Sequence, residues 1–405
     1  MQKALFALAI LAAGSANAGS DRLWSSFRAQ DFFALRSELP AAQPGEPGDI
    51  RFLRAASLAA FGRTQESERL LTALLAHPLA DSALEGRARE LLMLDRRAEF
   101  RYAPALEAIA PLLKDDAGGE LRNRAKFLRA VADVPAQSVR PGQGGALPAD
   151  RAGRVRILLG RGAADMMIDT GANFSVISRS AALGLGLRVR RADYGIGSST
   201  GGQVQADVAA ASFAFADGTR VDNAVFLVLP DRSLKMANGE TADGLIGQPV
   251  IAALGTVAFR AGHVVLGLQA GSDAATAELA LAGNDPLLRV SYRGQEVLCR
   301  LDTGSDRSVF YAPFYQRFRD TLGAGRNRSE RIGSATGMRS FHAQQIGAMQ
   351  ISIGGRAVTL GRATVLSEPI GATTNTALAC DLGRDAFAGL AYYAIDLKRM
   401  TLTLG

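Results

Sequence analysis

The spacing of apolar residues predicts helices in the first third of the chain. From Asp21 to about Val134, apolar residues recur every three or four positions, a period typical of short amphipathic helices. Gly62 separates two such segments as a turn. Pairs of short helices favour a domain of stacked helical hairpins, loosely similar to tetratricopeptide repeats. We expect a packing or assembly role for this domain, with a substrate receptor as the alternative.

The pattern changes to short β-prone runs after Asp150. Residues 154–159, 223–229 and 349–353 are apolar-rich runs near Gly, Asp or Asn turns, which predicts the strands of an all-β region. Prolines and glycines among polar residues mark 135–150 as a linker. A mainly β fold is therefore expected to follow the helical domain.

Residues 1–18 have the pattern of an export signal. Lys3 precedes an apolar run at 4–13, and Ala16-Asn17-Ala18 then gives the small-x-small pattern that a signal peptidase cleaves. The run is too short to span a bilayer core of roughly 30 Å as a helix. We expect an exported protein, periplasmic or secreted, that is soluble after cleavage and has no stable membrane insertion. An uncleaved anchor or a chance apolar start is the alternative.

The β region contains an internal repeat. Asp-Thr-Gly occurs at 169–171 and again at 302–304, each time directly after an apolar run. A glycine-rich segment follows each triplet, at 195–201 and at 331–337. One such triplet is uninformative, but two in the same context indicate a duplication.

A later apolar-apolar-Gly stretch completes the repeat. Gly247 ends it 78 residues after Asp169, and Gly383 ends it 81 residues after Asp302. Three landmarks in the same order at nearly the same spacing predict two lobes of related fold. The predicted organisation is an export signal at 1–18, a helical domain at 19–134, a linker at 135–150, a first lobe at 151–270 and a second lobe at 271–405.

These motifs resemble those of the aspartic peptidases, over roughly residues 151–405. Asp169-Thr170-Gly171-Ala172 is similar to the retropepsin form of the active-site motif, and Asp302-Thr303-Gly304-Ser305 to the form common in pepsin-like enzymes. Closest in kind are bacterial retropepsin-like proteases with two fused lobes. The resemblance implies a two-lobed, pepsin-like arrangement of tandem retropepsin-like domains, and an aspartic endopeptidase that acts on polypeptides.

The resemblance also implies a role for each motif. Asp169 and Asp302 would form the catalytic pair, because two carboxylates about 3 Å apart share one proton and supply both acid and base. Thr170 and Thr303 would each brace the opposite loop. The predicted supporting strands end in Ile246-Gly247 and in Leu382-Gly383.

The glycine-rich segments fall where flaps over the substrate should lie. Tyr194 resembles the tyrosine of the pepsin flap, which closes over substrate, and Glu330 takes its position in the second half, so a tyrosine role would be confined to one lobe. Asp381 is a polar departure from the family pattern in a supporting strand. The predicted flap and substrate-binding residues are Tyr194, Gly195, Gly197, Ser198, Gly333 and Ser334.

One asymmetry between the triplets leads to a hypothesis about charge. The Ser305 hydroxyl could donate a hydrogen bond to Asp302 and favour its ionised form, whereas Ala172 offers Asp169 nothing comparable. We therefore expect Asp302 to carry more of the negative charge and Asp169 more of the shared proton. On this hypothesis, Ser305→Ala moves the acidic limb of the pH–rate profile upward.

The two cysteines lie beside these motifs. Cys299 precedes Asp302 by three residues, and Cys380 starts the strand expected to pass near that loop. The family fold would bring them within the distance of about 4.4–6.8 Å between Cα atoms that a disulfide needs. A disulfide and two buried thiols are both compatible with the sequence.

Composition and charge limit the classes of binding partner that we expect. The formal net charge of +7 is spread over scattered arginines, without the basic block typical of nucleic-acid binding. His77, His263 and His342 lack metal-ligand spacing, and we expect neither a metal nor another cofactor. The expected partner is a polypeptide substrate, with a further protein partner for the helical domain.

Three alternatives stay open at this point. A catalytically inactive pseudopeptidase would bind extended peptides without cleaving them, although both triplets are intact. A homodimer with swapped lobes would assemble the site between two chains. An assembly module built on the helical hairpins, with the β region as scaffold, would be no enzyme at all.

Overall fold

The structure is a computed structural model that describes residues 18–405 with gaps. The residues outside the description are 1–17, 151–152, 198–201, 236–240, 269–270, 272–273, 324, 335–336 and 370–376. Only the backbone is described for 18, 331–334 and 337–339. Residues 1–17 of the predicted export signal and the predicted flap residue Ser198 therefore lie outside the described residues.

The first region is helical, as its periodicity predicts. The Asp81 carboxylate starts one helix by accepting hydrogen bonds from the backbone N–H groups of Ala83 and Leu84, which the first turn leaves without partners. Gly62, with φ of 75°, makes the predicted turn. The helices are α1 (Ala18–Arg28), α2 (Phe32–Glu38), α3 (Gly48–Ala60), α4 (Thr64–Leu74), α5 (Ser82–Ala98), α6 (Tyr102–Ile109) and α7 (Glu120–Val131).

The first lobe is a mixed sheet with short helices. Its strands follow one another in the order 138–140, 220–229, 175–178, 244–246, 162–168, 154–159, 203–215 and 189–197, which leaves residues 189–197 at an edge. Two short helices accompany it, α8 (Arg179–Gly184) and α9 (Gln248–Leu254). The strands are β1 (Ser138–Arg140), β3 (Arg154–Leu159), β4 (Gly162–Ile168), β5 (Ser175–Ser178), β6 (Val189–Gly197), β7 (Gln203–Phe215), β8 (Arg220–Leu229) and β9 (Gly244–Ile246).

The second lobe repeats this arrangement. Leu301 and Leu382 lie on paired parallel strands, just as Ile168 and Ile246 do in the first lobe. One helix, α10 (Ala312–Phe318), accompanies it. The strands are β12 (Ala275–Ala282), β13 (Asp285–Tyr292), β14 (Gln295–Leu301), β15 (Val309–Phe310), β16 (Arg326–Ser334), β17 (Gly337–Ile346), β18 (Met349–Ile353), β19 (Arg356–Leu360), β20 (Ala363–Leu366) and β21 (Leu378–Leu382).

Strands from both lobes join in one sheet. Val257 pairs with Ile395 where a strand of the first lobe meets a strand from the end of the chain. This pairing lies within a single chain and holds the lobes face to face. The joining strands are β2 (Ala146–Pro148), β10 (Thr256–Arg260), β11 (His263–Leu266), β22 (Tyr393–Asp396) and β23 (Thr401–Leu404).

The segment 135–150 differs from the linker that its composition predicts. β1 adds to the edge of the first-lobe sheet, where Val139 pairs with Val221. β2 pairs with β11 in the joining sheet, where Leu147 opposite Val264 is buried. Backbone pairing and one buried side chain thus fasten this segment to the β region.

The helical region shares an apolar core with both lobes. Phe127 of α7 and Val176 of the first lobe belong to the same buried cluster as Leu287 of the second lobe. Salt bridges on the second lobe add to this contact: Arg36 with Glu278 at 2.6 Å, and Asp31 with Arg289 at 2.7 Å. The helices therefore pack as one body with the β region.

The described part of the chain is mainly β with a helical region in front, which confirms the predicted fold class. Among the described residues, no helix combines the length and the apolar character needed to cross a membrane.

Candidate active site

The two Asp-Thr-Gly triplets occupy equivalent loops. Asp169 follows β4, and its backbone N–H donates to the Ile246 carbonyl at 2.9 Å. Asp302 follows β14, and its N–H donates to the Leu382 carbonyl, also at 2.9 Å. The apolar-apolar-Gly strands thus lie beside the loops and hold the first backbone group of each triplet.

Two buried threonines lock the loops together. The Thr170 hydroxyl donates to the Leu301 carbonyl at 2.9 Å and accepts from the Thr303 N–H at 3.0 Å. The Thr303 hydroxyl donates to the Ile168 carbonyl at 2.8 Å and accepts from the Thr170 N–H at 3.0 Å. The structure therefore shows the predicted bracing, with each threonine reaching into the opposite lobe.

This bracing brings the Asp169 and Asp302 carboxyl groups together. The two side chains are hydrogen-bonded to each other. The N–H of Gly171 donates to Asp169 Oδ1 at 2.8 Å, and the N–H of Gly304 donates to Asp302 Oδ1 at 3.0 Å. This arrangement favours one shared proton over two ionised carboxyl groups, because two adjacent anions would repel each other.

The glycines of the triplets are needed for this approach. A Cβ atom at Gly171 would lie 2.6 Å from Asp302 Oδ1, and one at Gly304 would collide with the Asp169 carboxyl group in the same way. Only a residue without a side chain lets each loop approach the opposite carboxyl group.

The two aspartates differ in their electrostatic surroundings. Burial and the adjacent Asp302 raise the pKa of Asp169 to about 7. Burial also raises the pKa of Asp302, but the Arg300 guanidinium opposes this shift. The Ser305 N–H also donates to Asp302 Oδ1, at 3.2 Å. Asp302 is thus better suited to hold the negative charge and Asp169 to hold the proton, although the pair titrates as a unit.

The hypothesis about the Ser305 hydroxyl is wrong in its mechanism. Ser305 Oγ donates to the Arg307 carbonyl at 2.8 Å, so the hydroxyl is engaged within its own loop. The contact with Asp302 comes from the backbone N–H, which every residue except proline has.

Ser305→Ala should therefore leave the acidic limb of the pH–rate profile in place. Alanine keeps the backbone N–H that donates to Asp302, so the pKa of that carboxyl group should not rise. Measuring kcat/KM from about pH 3 to about pH 8 tests this, since the range brackets carboxylate titration. An upward move of the acidic limb would restore a direct role for the hydroxyl.

A second pair of hydroxyl groups supports the loops from below. Ser175 Oγ accepts from the Gly247 N–H at 3.1 Å, and Ser308 Oγ accepts from the Gly383 N–H at 3.0 Å. Sequence reasoning missed this pair, although each serine follows its aspartate by the same six positions. The equal spacing in both halves was the available signal.

The polar departure at Asp381 has a partner. Arg300 Nε donates to Asp381 Oδ1 at 2.9 Å, and the Tyr311 hydroxyl donates to the other carboxylate oxygen. Arg300 was not singled out from the sequence. The available sequence signal was a charged residue in an apolar run, two residues before Asp302. Asp381 has a similar position in the supporting strand, two residues before Gly383.

Cys299 and Cys380 form a disulfide. They face each other on the parallel strands β14 and β21, with 4.6 Å between Cα atoms, and both are buried. The bridge joins the strand that carries Asp302 to the strand that supports it. Of the two alternatives that the sequence allows, the structure has the disulfide.

The predicted first flap contacts the helical region. The Tyr194 ring lies 5.5 Å from the Phe127 ring of α7 and 6.0 Å from the Phe174 ring, between centroids. The Asn123 side chain of α7 accepts from the Gly195 N–H and donates to the Gly195 carbonyl, both at 2.8 Å. The structure thus places Tyr194 against a helix, a contact that the comparison with the pepsin flap does not predict.

A further set of contacts links all three regions near the first triplet. Arg97 of α5 donates to Asn284 Oδ1 at 3.0 Å, and Asn284 Nδ2 donates to the Asn173 carbonyl at 2.7 Å. Arg97 also lies over the Phe174 ring, 5.3 Å from its centroid. The helical region therefore contacts the first-lobe loop directly and through the second lobe.

The remaining predicted flap residues are only partly described. Gly197 ends β6, opposite Gln203. Gly333 and Ser334 lie at the end of β16, where Ser334 pairs with Gly337. The β16–β17 hairpin is the second-lobe counterpart of the β6–β7 hairpin.

Fold and site together define a class: a two-lobed β protein in which each of the duplicated halves contributes one aspartate to a pair of adjacent carboxyl groups. Residues 154–250 match the model of a protein family described as "Aspartyl protease". This confirms the resemblance to retropepsin-like aspartic peptidases for the segment that includes the first triplet. No curated protein matches the chain.

Proposed function

We propose that this protein is an aspartic endopeptidase in which Asp169 and Asp302 activate water against a peptide carbonyl. The observation that carries the proposal is the hydrogen-bonded carboxyl pair, braced by the crossed Thr170 and Thr303 contacts. The family match at 154–250 supports peptidase activity in general.

The geometry supports the following mechanism. Asp302, as the carboxylate, takes a proton from a water molecule while the oxygen of that water attacks the carbonyl carbon. Asp169 gives its proton to the carbonyl oxygen, and a tetrahedral diol forms. The diol then collapses: one of its hydroxyl groups gives its proton to Asp169 as the C=O bond reforms, the C–N bond breaks, and Asp302 gives its proton to the leaving nitrogen, so the pair is again singly protonated on Asp169. An extended peptide would be held by main-chain hydrogen bonds from the flaps.

The site needs no second chain on this proposal. Both aspartates belong to one chain, and the β10–β22 pairing holds the lobes together within it. We also propose an exported, periplasmic or secreted location. The Cys299–Cys380 disulfide supports it, because disulfides persist in oxidising compartments.

Asp169→Asn and Asp302→Asn should each lower cleavage by about 100-fold or more, since each removes the acid or the base of the pair. The purified protein would be incubated with an unfolded protein from about pH 3 to about pH 8, and the products read by mass spectrometry. Asp165→Asn is the matched control, because Asp165 lies on β4, the strand that leads to Asp169, but pairs with Arg156 at the surface. Cleavage that persists in both variants would rule out the mechanism.

A peptide-binding protein without catalysis is the second candidate function, because one observation speaks against closure of the first flap. Asn123 already occupies the Gly195 N–H and carbonyl on the edge strand β6, where flap contacts to a peptide backbone are expected. If the parent protein cleaves nothing while extended peptides bind it, this second function replaces the first.

A further inference from the structure

A cluster of buried charges lies beside Asp302. Arg300 Nη2 lies 3.7 Å from Asp302 Oδ2 and also contacts Asp381 Oδ2, while Nη1 is 3.5 Å from Asp285 Oδ1. The side chains of Arg300, Asp285 and Asp381 are each at most 10% exposed. An arginine buried among carboxylates is costly unless its geometry is well satisfied, so its presence needs an explanation.

The duplicated half of the chain shows that the fold does not require these charges. Arg300 faces Asp381 across the parallel strands β14 and β21. At the same register in the first lobe, Met167 faces Leu245 across β4 and β9. An uncharged pair therefore occupies the equivalent position in the strands beside Asp169. The charged pair is specific to the lobe that carries Asp302.

We propose that Arg300 is a positioning residue that holds the negative charge of the aspartate pair on Asp302 and so leaves the proton on Asp169. At 3.7 Å and away from bulk water, the guanidinium favours an anion at Asp302. Asp381 and Asp285 keep it in place. The titratable and charged groups around Asp302 are Asp169, Arg300, Asp381, Asp285 and Tyr311.

This inference rests on the proposed function, and a graft between the lobes tests it. The double variant Arg300→Met with Asp381→Leu copies the first-lobe pair, so it removes both members of the Arg300–Asp381 ion pair at once and keeps Asp285. Arg300 lowers the pKa of Asp302 more than Asp381 raises it, so loss of both should raise that pKa, and the acidic limb of kcat/KM should move upward by up to about one pH unit. Arg300→Lys keeps the charge and should retain part of the parent profile.

Carbon-13 NMR titration of the aspartate carboxyl groups gives a second readout that requires no turnover. In the double variant the lower apparent pKa of the pair should rise, whereas Met167→Leu in the first lobe should change neither the titration nor the profile. Circular dichroism shows that each variant is folded.

An unchanged lower apparent pKa in a folded double variant would overturn the role of Arg300. A parent protein that titrates as described but cleaves nothing would instead contradict the proposed function alone. The two failures are therefore distinguishable.

Discussion

Gly171→Ala is expected to lower kcat/KM by about 100-fold while the protein still folds, because displacing reacting groups by about 1 Å commonly costs that much. The new methyl group would lie 2.6 Å from Asp302 Oδ1, so the carboxyl group must move away from Asp169. The φ of Gly171 lies outside the left-handed region, so the backbone itself tolerates alanine. Gly304→Ala should have the same effect through Asp169.

The matched control for these variants is Gly347→Ala. Gly347 has no atom within 4 Å of the added Cβ position, and its φ is also outside the left-handed region. Steady-state kinetics on a peptide substrate, with thermal unfolding as the measure of folding, would compare the three variants. Full activity in Gly171→Ala would mean that the carboxyl pair is more widely separated during catalysis than in this structure.

Removing the Cys299–Cys380 disulfide is expected to lower the free energy of unfolding by about 4 kcal/mol. The bridge closes a loop with a sequence separation of 81, and a cross-link of that length restricts the unfolded chain by about this amount. The variant is Cys299→Ala with Cys380→Ala, and urea unfolding followed by circular dichroism measures the change.

The same variant should also lose activity. Arg300 and Asp381 directly follow the two cysteines, so loosening β14 against β21 disturbs their ion pair beside Asp302. As a control, the parent protein would be unfolded with and without a thiol reductant. Reduction removes the disulfide without the small cavity that alanine leaves, so this control distinguishes the two effects on stability. If reduction changes neither stability nor activity, the disulfide is only a by-product of an already rigid strand pair.

The repeat along the chain made the two-lobed fold and the aspartate pair predictable. Asp169 and Asp302 stand in matching motifs with matching spacing to Gly247 and Gly383. The crossed Thr170 and Thr303 contacts then show that the two equivalent loops face each other.

The sequence pattern did not predict the contacts between the helical region and the β region. The Asn123 amide meets Gly195, and Phe127 meets Tyr194, only because α7 packs against β6. Segment 135–150 looked like a linker because its composition is turn-rich, yet β1 and β2 lie within it. Short edge strands are specified by the partner they pair with more than by their own residues.

The sequence alone thus determined the order of a helical and a mainly β region, the duplication, and the residues at which two carboxyl groups meet. These features follow from local periodicity and repeat spacing, which can be read from the sequence without knowledge of the tertiary structure. Only the tertiary structure decided which charges surround the pair. Asp285 and Asp381 are distant in sequence from Asp302, and strand register brings them beside Arg300 and Asp302. Electrostatic effects depend on such distances and on burial, neither of which is written in a local pattern.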